Sequence, residues 1–138
     1  MSVGPETREQ ELIEKAKEAM TKAYAPYSHF HVGAALLAKN GQIFTGCNIE
    51  NASYGVCNCA ERTALFKAVS EGVREFQAIV IVGGMNGNST DFCPPCGVCR
   101  QALSEFCGPD MKVLLLKGQD QVKYMTLGEL LPEAFYLG

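Results

Sequence analysis

The sequence has no apolar run long enough to cross a bilayer. Its longest stretches, Ala34–Ala38 and Ala78–Val82, fall far short of the roughly 20 residues a spanning helix needs, so no membrane partner is expected. Met1 to Glu11 is polar and acidic and lacks the apolar core and small-residue cleavage site of a secretory signal, which points to a soluble, cytoplasmic chain. The glycosylation-like triplets Asn51-Ala52-Ser53 and Asn88-Ser89-Thr90 carry no weight in that setting. Lys and Arg form no cluster, and 12 of them stand against 15 Asp and Glu for a net charge of −3. With nothing to neutralise a phosphate backbone, a polynucleotide is not an expected partner. Neither a repeat nor a linker interrupts the chain, and 138 residues suffice for one core, so residues 1–138 read as a single domain.

What the chain does have in number is cysteine, with seven residues at 47, 57, 59, 93, 96, 99 and 107. The number is odd and the expected compartment is reducing, which argues against a disulfide framework and for metal binding or catalysis. Cys57 and Cys59 sit together, as do Cys93, Cys96 and Cys99. The isolated Cys47 and Cys107 read as small buried hydrophobes, and Cys93 as a loop or packing residue.

Hydrophobic periodicity places these clusters on elements. Glu9 to Tyr24 carries Leu12, Ile13, Ala16, Ala19, Met20 and Ala23 at helical spacing and is expected to end at Ala25-Pro26. Val32–Ala38 and Ile43–Asn48 read as strands joined by a turn over Lys39-Asn40-Gly41-Gln42. After a loop through Asn51–Gly55, Ala60–Ser70 reads as a helix stopped at Gly72. The β-branched run Ala78–Val82, bounded by Gly83-Gly84, reads as a strand buried on both faces. Gly83–Phe92 reads as a loop, Gly97–Phe106 as a helix opened by Pro94-Pro95, and Lys112–Leu116 and Val122–Met125 as strands. Thr126 is expected to cap a short helix over Leu127–Leu131 that Pro132 stops. The order predicts an α/β fold, a three-layer α/β/α domain with a mixed, about five-stranded sheet.

Chemistry concentrates in two segments. In Asn58-Cys59-Ala60-Glu61-Arg62 a cysteine and a carboxylate flank one residue at a helix start, where dipole and free N–H groups favour thiolate. In Pro95-Cys96-Gly97-Val98-Cys99-Arg100 two cysteines share one face of an opening turn, close enough to hold one metal. Three thiolates can therefore converge, and three ligands plus an open position leave room for a reactive water. Cys57 offers an alternative, a closed structural site with Cys57, Cys59, Cys96 and Cys99, although ribbon-type sites usually separate paired ligands by two to four residues. A thiol-disulfide role for Cys96 and Cys99 leaves Cys59 and Glu61 without a purpose. Three thiolates on Zn²⁺ give a formal charge of −1, which two helix N-termini can offset. Arg62 is placed to donate to a ligand thiolate, its alternative being an ordinary surface arginine. Glu61 is free to take a proton from the water and pass it on.

Cys59-Ala60-Glu61 followed by Pro95-Cys96-x-x-Cys99 resembles the zinc deaminase signature. Pro26-Tyr27-Ser28-His29-Phe30-His31-Val32-Gly33-Ala34-Ala35, Gly46-Cys47-Asn48-Ile49-Glu50-Asn51-Ala52 and Glu129-Leu130-Leu131-Pro132 extend the resemblance, from Tyr24 onward, to the small homotetrameric cytidine deaminases. That resemblance implies one Zn²⁺ per chain on Cys59, Cys96 and Cys99, with Glu61 as the proton shuttle. It implies that Asn48 and Glu50 bind the ribose 3′-hydroxyl, that Phe30 stacks on the pyrimidine, and that Tyr54 and the Ala60 backbone line the pocket. It further implies that Phe135 reaches into a neighbouring subunit's site in a homotetramer with shared sites. The implied reaction converts cytidine and 2′-deoxycytidine to uridine and 2′-deoxyuridine plus ammonia, in pyrimidine salvage. Three departures stand out: Asn58 at a usually apolar position, the extra thiol of Cys57, and Pro94 in place of a serine. Rival readings are a closed zinc module, a polynucleotide-editing deaminase, for which no basic or aromatic groove is evident, and an aminonucleoside-antibiotic deaminase.

Overall fold

The computed structural model describes residues 5–137, so residues 1–4 and 138, the ends of the expected 1–138 span, lie outside it. Helix α1 (Pro5–Met20) precedes β1 (Phe30–Ala38) and β2 (Ile43–Cys47), which pair antiparallel as the expected hairpin. Gly41, in the connecting turn, takes a φ of 93°, a conformation open chiefly to glycine. Helix α2 (Ala60–Ser70) is followed by β3 (Phe76–Met85), α3 (Gly97–Ser104), β4 (Lys112–Lys117), β5 (Gln121–Thr126) and α4 (Leu127–Leu130). The five strands form one mixed sheet in the order β2-β1-β3-β4-β5, parallel only at β3 and β4.

Strand β3 shows why helices cover both faces. Ile79 and Ile81 point into a cluster with Ala64, Leu65 and Ala68 of α2, Leu103 of α3 and Leu127 of α4. The alternate residues Ala78, Val80 and Val82 meet Leu12, Ile13 and Ala16 of α1. Successive strand side chains point to opposite faces, so a continuous apolar run needs a helical layer on each side, and the expected three-layer arrangement results. Strand β5 is the exception, at the sheet edge and largely exposed. Helix α4 opens on the expected cap: Thr126 Oγ1 accepts from Glu129 N at 3.3 Å, while a Glu129 carboxylate oxygen accepts from Thr126 N at 2.8 Å. Among the described residues no helix is long and apolar enough to cross a membrane.

Two expected boundaries are corrected. The first helix ends at Met20, short of Ala25-Pro26, because Tyr24 is drawn into a bridge with Ile49, its N–H on Asn48 O at 3.0 Å and its carbonyl taking Glu50 N at 2.8 Å. Gly83 and Gly84 do not bound β3: they pair with Val32 and His31 of β1, so sheet pairing extends the strand to Met85 and shortens the expected Gly83–Phe92 loop. An unexpected single turn of 3-10 helix, Tyr54–Val56, sits in the loop before α2.

Candidate active site

Registers bring the chemistry to one end of the sheet. Phe30 pairs with Met85 and Gly33 with Cys47, so β1 begins where β3 and β2 end. Helix α2 is set against this end by Gly46, where any Cβ would lie 2.4 Å from Ala60 O and 2.6 Å from Ala64 N. Ile49 and Asn58 exchange backbone hydrogen bonds at 2.9 Å, fixing the residue before Cys59. Cys59 and Cys96 are then the N-cap residues of α2 and α3, neither using its side chain as a cap. Both thiols therefore stand at positive helix ends.

The Sγ atoms of Cys59, Cys96 and Cys99 lie within 4.8 Å of one another, the only such grouping of metal-ligating side chains among the described residues. Cys59 Sγ and Cys96 Sγ are 3.7 Å apart. A tetrahedral zinc with Zn–S bonds of about 2.3 Å sets its sulfurs about 3.8 Å apart, so the donor set fits that ion. Cys59 is held well below the usual thiol range, to about 5, by hydrogen bonding from Cys99 and from Arg62, whose Nη2 donates to Cys59 Sγ at 3.2 Å. Cys99, fully buried, is pushed upward by donating to Cys59 and by burial. Arg62 is itself raised by the Cys59 sulfur, and its Nε is buried without a partner.

Glu61 is 4 % exposed, the one buried carboxylate among the described residues. Burial, reinforced by the charge of Cys59, pushes its carboxyl up to about 7. It faces a cavity of about 550 Å³, within the ordinary range for small-molecule sites, whose walls also include Phe30, Asn48, Glu50, Tyr54, Ala60 and Arg62. Asn48 accepts from Val32 N at 2.9 Å and donates to Phe30 O at 2.8 Å. Glu50 accepts from the backbone N–H of Tyr27 at 3.0 Å and of Ser28 at 3.1 Å, and from the Ser28 hydroxyl. The hydroxyl bond leads in holding the Glu50 carboxyl below its usual range. Both side chains thus anchor the strand and turn that present Phe30, which is about one-third exposed.

Cys57 does not join the sulfurs. Its Sγ lies against Asn51, accepting from the N–H at 3.2 Å and reaching the carbonyl at 3.5 Å, which removes the fourth ligand of the closed alternative. Cys93 packs on the main core and lines the cavity, its thiol pushed up to about 12, chiefly by burial. Cys107 is buried, whereas Cys47 is only half-buried and lies 3.4 Å from Lys22 O, a correction to its expected burial. Phe135 is exposed and does not line the cavity of its own chain; its carbonyl accepts from Gln101 Nε2 at 3.0 Å. Sequence reasoning missed Tyr27 and Ser28, whose N–H groups face Glu50 across 23 and 22 residues, a separation no local pattern encodes.

A family model described as the cytidine and deoxycytidylate deaminase zinc-binding region matches residues 6–115. The chain is 53 % identical over 126 residues to a cytidine deaminase of Halalkalibacterium halodurans, covering 91 % of this chain and 92 % of that one. To a cytidine deaminase of Sporosarcina psychrophila it is 50 % identical over 126 residues, covering 91 % and 90 %. A crystal structure of cytidine deaminase from Burkholderia pseudomallei superposes with a TM-score of 0.84 at 52 % identity, covering 91 % of this chain and 98 % of that one.

Proposed function

The chain belongs to the family of cytidine and deoxycytidylate deaminases with a zinc-binding region, and from that premise we propose that it is a cytidine deaminase, hydrolysing cytidine to uridine and ammonia. The observation that carries this is the convergence of the Cys59, Cys96 and Cys99 sulfurs at a cavity whose wall includes Cys59, Cys96 and buried Glu61. Zinc on those three cysteines supplies a Lewis acid that activates water at neutral pH.

The rest is the work of this chain's side chains. Glu61 Oε takes one proton of the attacking water and delivers it to ring N3 as the oxygen bonds to C4, then takes the remaining proton of that oxygen and passes it to the 4-amino nitrogen, so that the C4–N bond breaks, the C4 carbonyl forms and ammonia leaves. Burial favours the neutral form of this carboxyl and raises it above the ordinary carboxylate range, toward the neutral pH at which a general base that becomes an acid must work. Arg62 neutralises thiolate charge through its bond to Cys59 and keeps that sulfur oriented.

Phe30 stacks on the pyrimidine, and Tyr54 and the Ala60 backbone close the wall around it. Asn48 retains a second amide N–H and Glu50 retains lone pairs, which meet the sugar 3′-hydroxyl. Ribose and 2′-deoxyribose both carry that hydroxyl, so 2′-deoxycytidine is a substrate too, giving 2′-deoxyuridine in pyrimidine salvage. In a cytoplasmic homotetramer of single-domain chains, the exposed Phe135 enters a neighbouring copy's site.

The test is to incubate the zinc-assayed protein with cytidine and 2′-deoxycytidine while following uridine and ammonia, with Glu61→Gln in parallel. Zinc near one per chain in both proteins is expected, with turnover lowered about 10²-fold or more in the variant. Wild-type turnover in Glu61→Gln, or zinc without deamination of either nucleoside in the parent, would contradict the proposal.

A further inference from the structure

Arg100, in the first turn of α3, makes two short hydrogen bonds that the proposed reaction does not use. Its Nε donates to Pro95 O at 2.7 Å and its Nη1 to Leu130 O at 2.7 Å. Its own N–H closes the first turn of the helix on Cys96 O at 2.9 Å. One guanidinium thus grips the carbonyl immediately before Cys96 and the last residue of α4, whose opposite end is fixed by the Thr126–Glu129 capping box.

The Cys96 turn needs such a grip. Cys59 follows the Ile49–Asn58 bridge, and its helix lies directly on β2 at Gly46. Cys96 is exposed, follows the two prolines Pro94 and Pro95, and leads into a helix of only 8 residues. Prolines carry no N–H with which to tie that approach to neighbouring backbone. We propose that Arg100 is a positioning residue for the metal centre, strapping the Cys96 turn to the end of α4 so that its thiol stays in register with Cys59 and Cys99. The inference rests on the zinc reading above. A lysine offers a compact point charge on a flexible stem, without the rigid planar fork that holds the two carbonyls at fixed positions.

Cobalt and zinc serve as probes, with the full chain as wild type, Arg100→Lys, Arg100→Ala and Gln101→Ala. The last variant removes the adjacent bond to Phe135 O and leaves the Pro95 contact in place. Zinc loss to a chelator is expected to quicken about tenfold or more in both Arg100 variants, with an altered thiolate-to-cobalt absorption band. Gln101→Ala is expected to match wild type in both readouts. If Arg100→Ala does not fold, Arg100→Lys carries the test, checked by the melting of its metal-free form. Wild-type zinc release and cobalt spectrum in Arg100→Lys would overturn the proposal, as would equal acceleration in Gln101→Ala. A wild-type chain that develops no thiolate-to-cobalt band would overturn the metal reading, and this proposal with it.

Discussion

The two halves of the cavity are held in different ways. On the metal half, Cys59 and Cys96 cap two helices, Cys99 and Glu61 follow within the first turns, and Cys99 and Glu61 are buried. On the recognition half, Phe30, Glu50 and Tyr54 border loops and are more open to solvent, and the polar side chains of Asn48 and Glu50 are engaged with backbone of residues 27–32. Donors on one helix turn keep their mutual spacing whenever that helix forms, and only the fit of one turn to the other calls on a contact distant in sequence, that of Arg100 with Leu130. A recognition surface on loops exists only while hydrogen bonds distant in sequence hold it. Damage to the first half should therefore remove the chemistry outright, whereas damage to the second should weaken binding by degrees.

The largest effect is expected from Cys99→Ala, which removes a fully buried sulfur from the cluster. Zinc measured by elemental analysis should fall well below one per chain, and deamination should fall with it. Full zinc content in that variant would break the distinction between the halves.

Glu61 supplies the next test. In the metal-free folded chain its carboxyl holds its proton up to about 7, while an unfolded carboxyl releases it at about its ordinary 4.5. The folded state binds more protons across that window, so this group's contribution to stability falls as pH rises from about 4.5 to about 7. Cys59, whose thiol is lowered, acts in the opposite direction in both proteins, and its charge is itself one cause of the Glu61 shift that the variant removes. The stability difference between these two proteins should therefore shift against wild type by up to about 3 kcal/mol across the window, read from denaturant melts.

On the recognition half, Asn48→Ala leaves Val32 N–H and Phe30 C=O without their side-chain partner. A loss of about 1–3 kcal/mol in stability is expected, together with a rise in KM for cytidine that exceeds the fall in kcat, at unchanged zinc content. Loss of zinc in this variant would show that the halves are not separable.

The division also explains what could be read from the sequence. Helix α2 runs over Ala60–Ser70 as its apolar spacing requires, and the Cys59, Glu61 and Cys96-x-x-Cys99 pattern lies within local segments that fold as single turns. Boundaries decided by partners far along the chain were not legible: Gly83 and Gly84 look like strand breakers until β1 pairs with them, and α1 stops early because Tyr24 is needed at Ile49. Ser28 and Arg100 were missed for the same reason, since their roles depend on Glu50 and Leu130, 22 and 30 residues away. Asn48 and Glu50 were visible as a motif, but their anchoring of the Phe30 approach was visible only in three dimensions.

The smallest expected effect belongs to Cys57, two residues from Cys59 and held by Asn51 away from the converging sulfurs. The account depends on three sulfurs and one open position, and X-ray absorption at the zinc edge of wild type and Cys57→Ala tests that most directly. Both proteins should give the same shell, three sulfurs at about 2.3 Å and one lighter oxygen or nitrogen neighbour at about 2.0 Å. A four-sulfur shell in wild type that becomes three-sulfur in Cys57→Ala would contradict it, turning the centre into a closed structural site.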